Sequence, residues 1–72
     1  MHKYPAIKPR ELVKVLNKAG FYEVRSKGSH LQFKKGNLLV TVPMHNRDLK
    51  IETIKSILRQ SKMSFDEIIE LL

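Results

Sequence analysis

The sequence predicts an α+β domain: one helix, a three-stranded antiparallel sheet, then two more helices, with the helices packed on one face of the sheet. Three observations carry that prediction. Apolar residues recur at helical spacing after Pro9. Two Gly-X pairs, Gly28-Ser29 and Gly36-Asn37, separate short alternating segments. The run Ser64-Phe65-Asp66-Glu67 has the form of a helix-capping box. The resulting order is α-β-β-β-α-α, an architecture in which each element hides its apolar side against another. No linker, repeat or low-complexity tract divides the chain. Its 72 residues read as one domain, 1–72, close to the lower size at which a core holds by itself.

The first helix is expected over Pro9–Ala19. Proline suits the first helical position, where its missing N–H is no loss. Leu12, Val13, Val15, Leu16 and Ala19 form one apolar arc, and Arg10, Lys14 and Lys18 recur on the other side. Gly20 is placed to end the helix. Strands are expected over Phe21–Lys27, His30–Lys35 and Leu38–Val42, the last stopped by Pro43, which cannot donate to a ladder.

The two turns fix a register that can be checked against itself. A two-residue turn at Gly36-Asn37 sets Phe33 opposite Val40 and Leu31 opposite Val42. A second at Gly28-Ser29 sets Lys27 opposite His30, Arg25 opposite Gln32, Val24 opposite Phe33 and Glu23 opposite Lys34. One face then gathers Val24, Leu31, Phe33, Val40 and Val42, and the other is polar. Leu39 is the apolar misfit on the polar side. Over Lys50–Gln60 a further helix shows the stripe Ile51, Ile54, Ile57 and Leu58, flanked by Lys55 and Arg59. A last short helix capped by Ser64 would dock through Phe65, Ile68, Ile69 and Leu72.

Charge narrows the partners. Fourteen Lys and Arg face seven Asp and Glu, for a net +7, and every cation lies before residue 63. Such a surface attracts polyanions, with RNA or DNA the usual ones. No apolar run is long enough to span a bilayer, and Met1-His2-Lys3-Tyr4-Pro5 does not read as a secretory signal, so no membrane partner is expected. With no cysteine there is no disulfide framework, which agrees with a cytoplasmic setting.

Few residues could carry chemistry. No His/Cys cluster, paired carboxylates or phosphate-binding glycine loop is present, so neither a metal nor a cofactor is expected. Of the three histidines, His2 is terminal. His30 begins a strand directly after the Gly28-Ser29 turn, on the polar face, with Lys27 across from it and Arg25 and Lys34 beside it. Imidazole gives or takes a proton near neutral pH, and neighbouring cations suit a phosphate. RNA brings its own nucleophile, the 2′-hydroxyl, so its cleavage asks little of a small protein. The plainer reading of His30 is a surface histidine in a strand. His45, in the loop after Pro43-Met44, either aids proton transfer or bonds to backbone. Lys14, Lys18, Lys55 and Arg59 either grip phosphates or form solvated helix faces.

A resemblance adds to this reading. Gly28-Ser29-His30, Thr41-Val42-Pro43-Met44-His45, Leu49-Lys50 and Ile54-Lys55-Ser56-Ile57-Leu58-Arg59-Gln60 are similar, in order and spacing, to the HicA family of toxins. Glu11 through Leu16, Gly20-Phe21 and Met63 through Glu67 match as well, so the likeness runs from about residue 8 to 68. Leu31 stands where a second histidine often follows, and Ile51-Glu52 precede Thr53 where the family often has Pro or Lys then Gly. The resemblance implies a fold like the double-stranded-RNA-binding domain and ribosome-independent cleavage of mRNA. It also implies His30 as the catalytic histidine and neutralisation by a HicB-type antitoxin. A non-catalytic RNA-binding module shares the charge and fold and is the alternative; a domain whose basic face meets an acidic protein is a third reading.

Overall fold

The computed structural model describes residues 6–72; His2 and the rest of Met1–Pro5 lie outside the described residues. The chain runs α1 (Pro9–Lys18), β1 (Tyr22–Lys27), β2 (His30–Lys35), β3 (Leu38–Pro43), α2 (Ile51–Ser61) and α3 (Phe65–Leu71). The three strands form one antiparallel sheet in the order β1-β2-β3. This is the expected α+β arrangement, with the helices over the apolar side of the sheet.

Helix α1 starts at Pro9, where the Glu11 carboxylate accepts the Lys8 backbone N–H at 2.9 Å. It ends in two nested bonds: Gly20 N–H donates to Asn17 O at 3.1 Å and Phe21 N–H to Leu16 O at 2.9 Å. Gly20, at φ 98°, supplies the left-handed turn this Schellman closure needs. The closure fixes which way Phe21 points. Its ring is buried in the core with Ile7, Leu12, Leu16, Phe33, Val40 and Val42.

Both hairpin turns have positive φ at glycine (59° at Gly28 and at Gly36) and not at the residue that follows, the type II′ pattern. The β2–β3 register is the expected one, Phe33 opposite Val40 and Leu31 opposite Val42. The β1–β2 register differs from expectation. Lys27 faces His30 and Arg25 faces Gln32, but then the strand bulges. Glu23 sits opposite Phe33, Tyr22 opposite Lys34, and Val24 is the extra residue.

The bulge has a physical cause. Counting back from the Gly28 turn, strict alternation would send Phe21 to the outer face. The helix end commits Phe21 to the core, and one inserted residue reconciles the two anchors. Val24 is accordingly 46% exposed and no part of the core. All of β1 is exposed, because the helices cover β2 and β3 but not this edge.

The last two helices correct the expected stripes. In α2, Ile54 and Ile57 are buried, but Ile51 at its start is exposed; Leu49 fills that end of the core instead, held by its N–H to Ile7 O at 2.8 Å. Helix α2 stops at Lys62, which takes a left-handed conformation at φ 60°. Helix α3 has the expected capping box: Glu67 N–H donates to Ser64 Oγ at 3.1 Å and Ser64 N–H to Glu67 Oε1 at 2.9 Å. Ile68 is its buried anchor, with Phe65 and Leu71 half-buried; Ile69 and Leu72, one helical step away, are exposed.

Beyond β3 the sheet edge is partly closed. Thr41 N–H, which does not join the β2 ladder, donates to the Gln60 side chain of α2 at 3.0 Å, and Pro43 has no N–H to offer.

Candidate functional site

The outer face of the sheet is uncovered and arranged in three ranks. Cross-strand partners share a face, so the ranks follow from the register: Lys27-His30-Pro43, Arg25-Gln32-Thr41 and Tyr22-Lys34-Leu39. The first two surround an open hollow of about 480 Å³ lined by Arg25, Lys27, His30, Gln32 and Thr41. Two fixed cations border it and no acid does.

His30 owes its place to the turn before it. Gly28 turns the chain, and Met44 N–H donates to the Ser29 carbonyl, carrying the β2–β3 ladder one step beyond Pro43. The Gly28-Ser29 turn is thereby held from β3 as well as by its own hairpin. The imidazole stands exposed on the first strand residue after the turn, where a phosphate can approach.

Of the residues singled out from sequence, the structure brings Arg25, Lys27 and His30 together. Lys34 is on the same face in the third rank. Lys14, Lys18, Lys55 and Arg59 line no part of this hollow. Lys18 is engaged elsewhere, its Nζ donating to the Leu71 carbonyl at 2.9 Å and so fastening α3 to α1. Arg59 donates to Ser56 Oγ at 3.3 Å on its own helix. His45 also stands outside the hollow; its Nδ1 accepts the Arg47 N–H at 3.1 Å, shaping the loop that leads to α2. Gln32 and Thr41 were not singled out. Gln32 follows from the register and Thr41 opens one of the runs that carry the resemblance, but a neutral polar side chain in a strand does not by itself point to a role in the hollow.

Among the described residues no three or more His, Cys, Asp or Glu gather as a metal site would require, and no helix is long and apolar enough to cross a membrane. What the face offers is an imidazole, exposed cations beside it and room for an extended polyanion.

The fold has the α+β form that the sequence resemblance implies for a small basic toxin from a bacterial toxin–antitoxin pair. The family model described as "HicA toxin of bacterial toxin-antitoxin" matches residues 9–63, most of the chain, and the protein belongs to that family. It is the toxin of its pair, and an antitoxin is its partner. No curated protein matches the chain significantly.

Proposed function

We propose that this toxin is an endoribonuclease that cleaves mRNA independently of the ribosome, with His30 as its catalytic residue. The observation that carries the reading is the placement of His30: exposed, fixed by a doubly held turn, and flanked by Arg25 and Lys27 with no acid in the hollow.

The chemistry is transesterification. The 2′-oxygen of the ribose bonds to the adjacent phosphorus, the P–O5′ bond breaks, and the products are a 2′,3′-cyclic phosphate and a 5′-hydroxyl. One proton leaves the 2′-OH and one reaches O5′. His30 carries one of these transfers; a single imidazole does not do both at once, and the open hollow admits water for the other. Arg25 and Lys27 hold the non-bridging oxygens and offset the charge that builds at phosphorus. The nucleophile belongs to the RNA, so the reaction needs no metal-activated water and no cofactor.

The antitoxin in this reading is of the HicB type and covers the His30 face, blocking RNA binding and chemistry at once. The protein acts in the cytoplasm, where its substrate is, and cleavage of mRNA there accounts for growth arrest under stress.

The test is induced expression of wild type and His30→Ala from a tightly controlled promoter, following growth and the integrity of one abundant mRNA. Arrest with mRNA cleavage in the wild type alone, and a folded, accumulating mutant, supports the reading. A wild type that binds RNA but leaves it whole makes the protein a non-catalytic RNA-binding module.

A further inference from the structure

The third rank of the outer face, Tyr22-Lys34-Leu39, has no part in the chemistry above. Its two apolar members are well exposed, Tyr22 at 56% and Leu39 at 47%. Tyr22 reaches this face because Val24 is left out of the pairing; were Val24 paired in strict alternation from the turn, Tyr22 would lie on the helix side. Lys34 lies four residues along β2 from His30, so the rank stands about 13 Å from the imidazole at the usual rise of a strand.

We propose that Tyr22 is a base-stacking platform for single-stranded RNA, gripping a base a few nucleotides from the bond that His30 cleaves. The proposal rests on the RNA-cleaving reading and extends it to how substrate is held. Three observations favour RNA over a protein as occupant of this rank. The outer ranks carry Arg25, Lys27 and Lys34 and no acid, which complements a phosphate chain. The two apolar residues are separated by Lys34, so they form no continuous apolar patch of the kind a protein partner buries. An aromatic ring beside cations on an open sheet suits bases splayed from their backbone, since every base has a face to stack and every linkage a charge to meet.

The strand must be single for a chemical reason as well. In-line attack needs the 2′-oxygen, phosphorus and O5′ collinear. A duplex holds the 2′-hydroxyl off that line, whereas an unstacked linkage rotates onto it. A platform that captures one base while the cations hold phosphates leaves the intervening linkage free to turn. Leu39, at the far end of the rank, supplies an apolar floor for the ribose or base edge next to the stacked one.

The test uses the full-length chain carrying His30→Ala, so that RNA stays whole, and a fluorescein-labelled 12-nucleotide oligoadenylate. Tyr22→Ala in that background is expected to weaken binding about ten-fold, the scale of one lost base stack. Tyr22→Phe keeps the ring and is expected to bind like its parent. Tyr22 is an exposed edge-strand side chain outside the core, so both variants should fold, and their unfolding midpoints check this. A second readout is direct. The chain has two tyrosines and no tryptophan, so in Tyr4→Phe protein the intrinsic emission belongs to Tyr22. That emission is expected to fall as oligoadenylate is added and to stay level with a 12-base-pair RNA duplex.

Equal affinities for the Ala and Phe variants overturn the platform, and so does unchanged emission. Unaltered RNA binding by Tyr22→Ala with weakened antitoxin binding assigns the rank to the protein partner and likewise overturns it. The catalytic reading is judged separately by mRNA cleavage in the His30-intact protein, and that result stands whatever the platform test shows.

Discussion

The Phe21 amide donates to the Leu16 carbonyl at 2.9 Å, and this bond decides how β1 is built. It commits the Phe21 ring to the core that Leu16 also joins. The Gly28 turn, working from the other end, would have turned that ring outward, so Val24 is the residue that absorbs the conflict. Deleting Val24 should therefore be tolerated. Phe21 stays inward, Arg25 and Lys27 stay outward, and the strand becomes regular. The expected change in unfolding free energy is within about 1 kcal/mol by urea titration, as for a substitution away from any core feature. Loss of the cooperative transition would mean the bulge is needed for folding and the parity argument is wrong.

Phe33 is the largest of the fully buried side chains and lies between β1 and β3 at the centre of the sheet. Phe33→Ala should cost about 3–5 kcal/mol. A domain of this size has roughly 4–11 kcal/mol of stability in total. The mutant should thus sit near or below its folding threshold at 37 °C. Thermal unfolding by circular dichroism reads the outcome; a midpoint within a few degrees of wild type would refute the central role given to this ring.

Lys62 ends α2 in the left-handed region that glycine adopts freely. A side chain there costs about 1 kcal/mol, and glycine gives back part of the gain through the greater freedom of its unfolded chain. Lys62→Gly is expected to stabilise by about 0.5 kcal/mol and to leave mRNA cleavage unchanged, since Lys62 does not line the His30 hollow. Destabilisation in chemical unfolding would show that the lysine side chain makes a contact worth more than the strain.

Two changes to the reaction mixture examine the proposed chemistry. Cleavage of a purified transcript should persist at full rate in excess EDTA, because the nucleophile is the 2′-hydroxyl. A single 2′-deoxy substitution at the cut site should abolish cleavage there. Inhibition by chelation, or cutting at the deoxy position, would rule out the mechanism while leaving the family assignment intact.

Charge reversal at Arg25 or Lys27 distinguishes the proposed face from the rest of the cationic surface. Arg25→Glu and Lys27→Glu are each expected to cut RNA at least about ten-fold more slowly, as loss of a charge-assisted phosphate contact implies. Each should also weaken the antitoxin complex. Arg59→Glu, on α2 and outside the hollow, should do neither. Antitoxin affinity indifferent to Arg25 and Lys27 would place that partner on another surface.

The sequence made the β2–β3 hairpin readable to the residue, because turn type and alternation agree there and need no third element. The Ser64 box was equally plain, being a contact between residues three apart. The bulge was hidden because its cause lies partly in α1: nothing within Tyr22–Lys27 says that Phe21 is already committed. Periodicity places Ile51 and Ile69 in apolar stripes because it counts hydrophobic residues without knowing which turn of a helix meets the core. At the site, His30, Arg25 and Lys27 were legible from the turn. Gln32 and Thr41 have a place in the sequence's own register and motifs, but that they line the hollow is seen only when the three strands are set side by side. Lys18 looked like any surface cation, since its engagement with the Leu71 carbonyl joins residues 53 positions apart.

The Gln60–Thr41 bond and Pro43 give the sheet a direction of growth. A ribbon of many copies, each adding its strands to the next, needs two open borders per molecule. Here the β3 border is obstructed at two successive outward positions, while among the described residues none is bonded to the outer border of β1. Edge pairing between copies would consume β1 against β1 and terminate at two chains. A protein released from its antitoxin at high local concentration is thus steered from filament formation by one glutamine and one proline, neither of which touches RNA in the proposed mechanism.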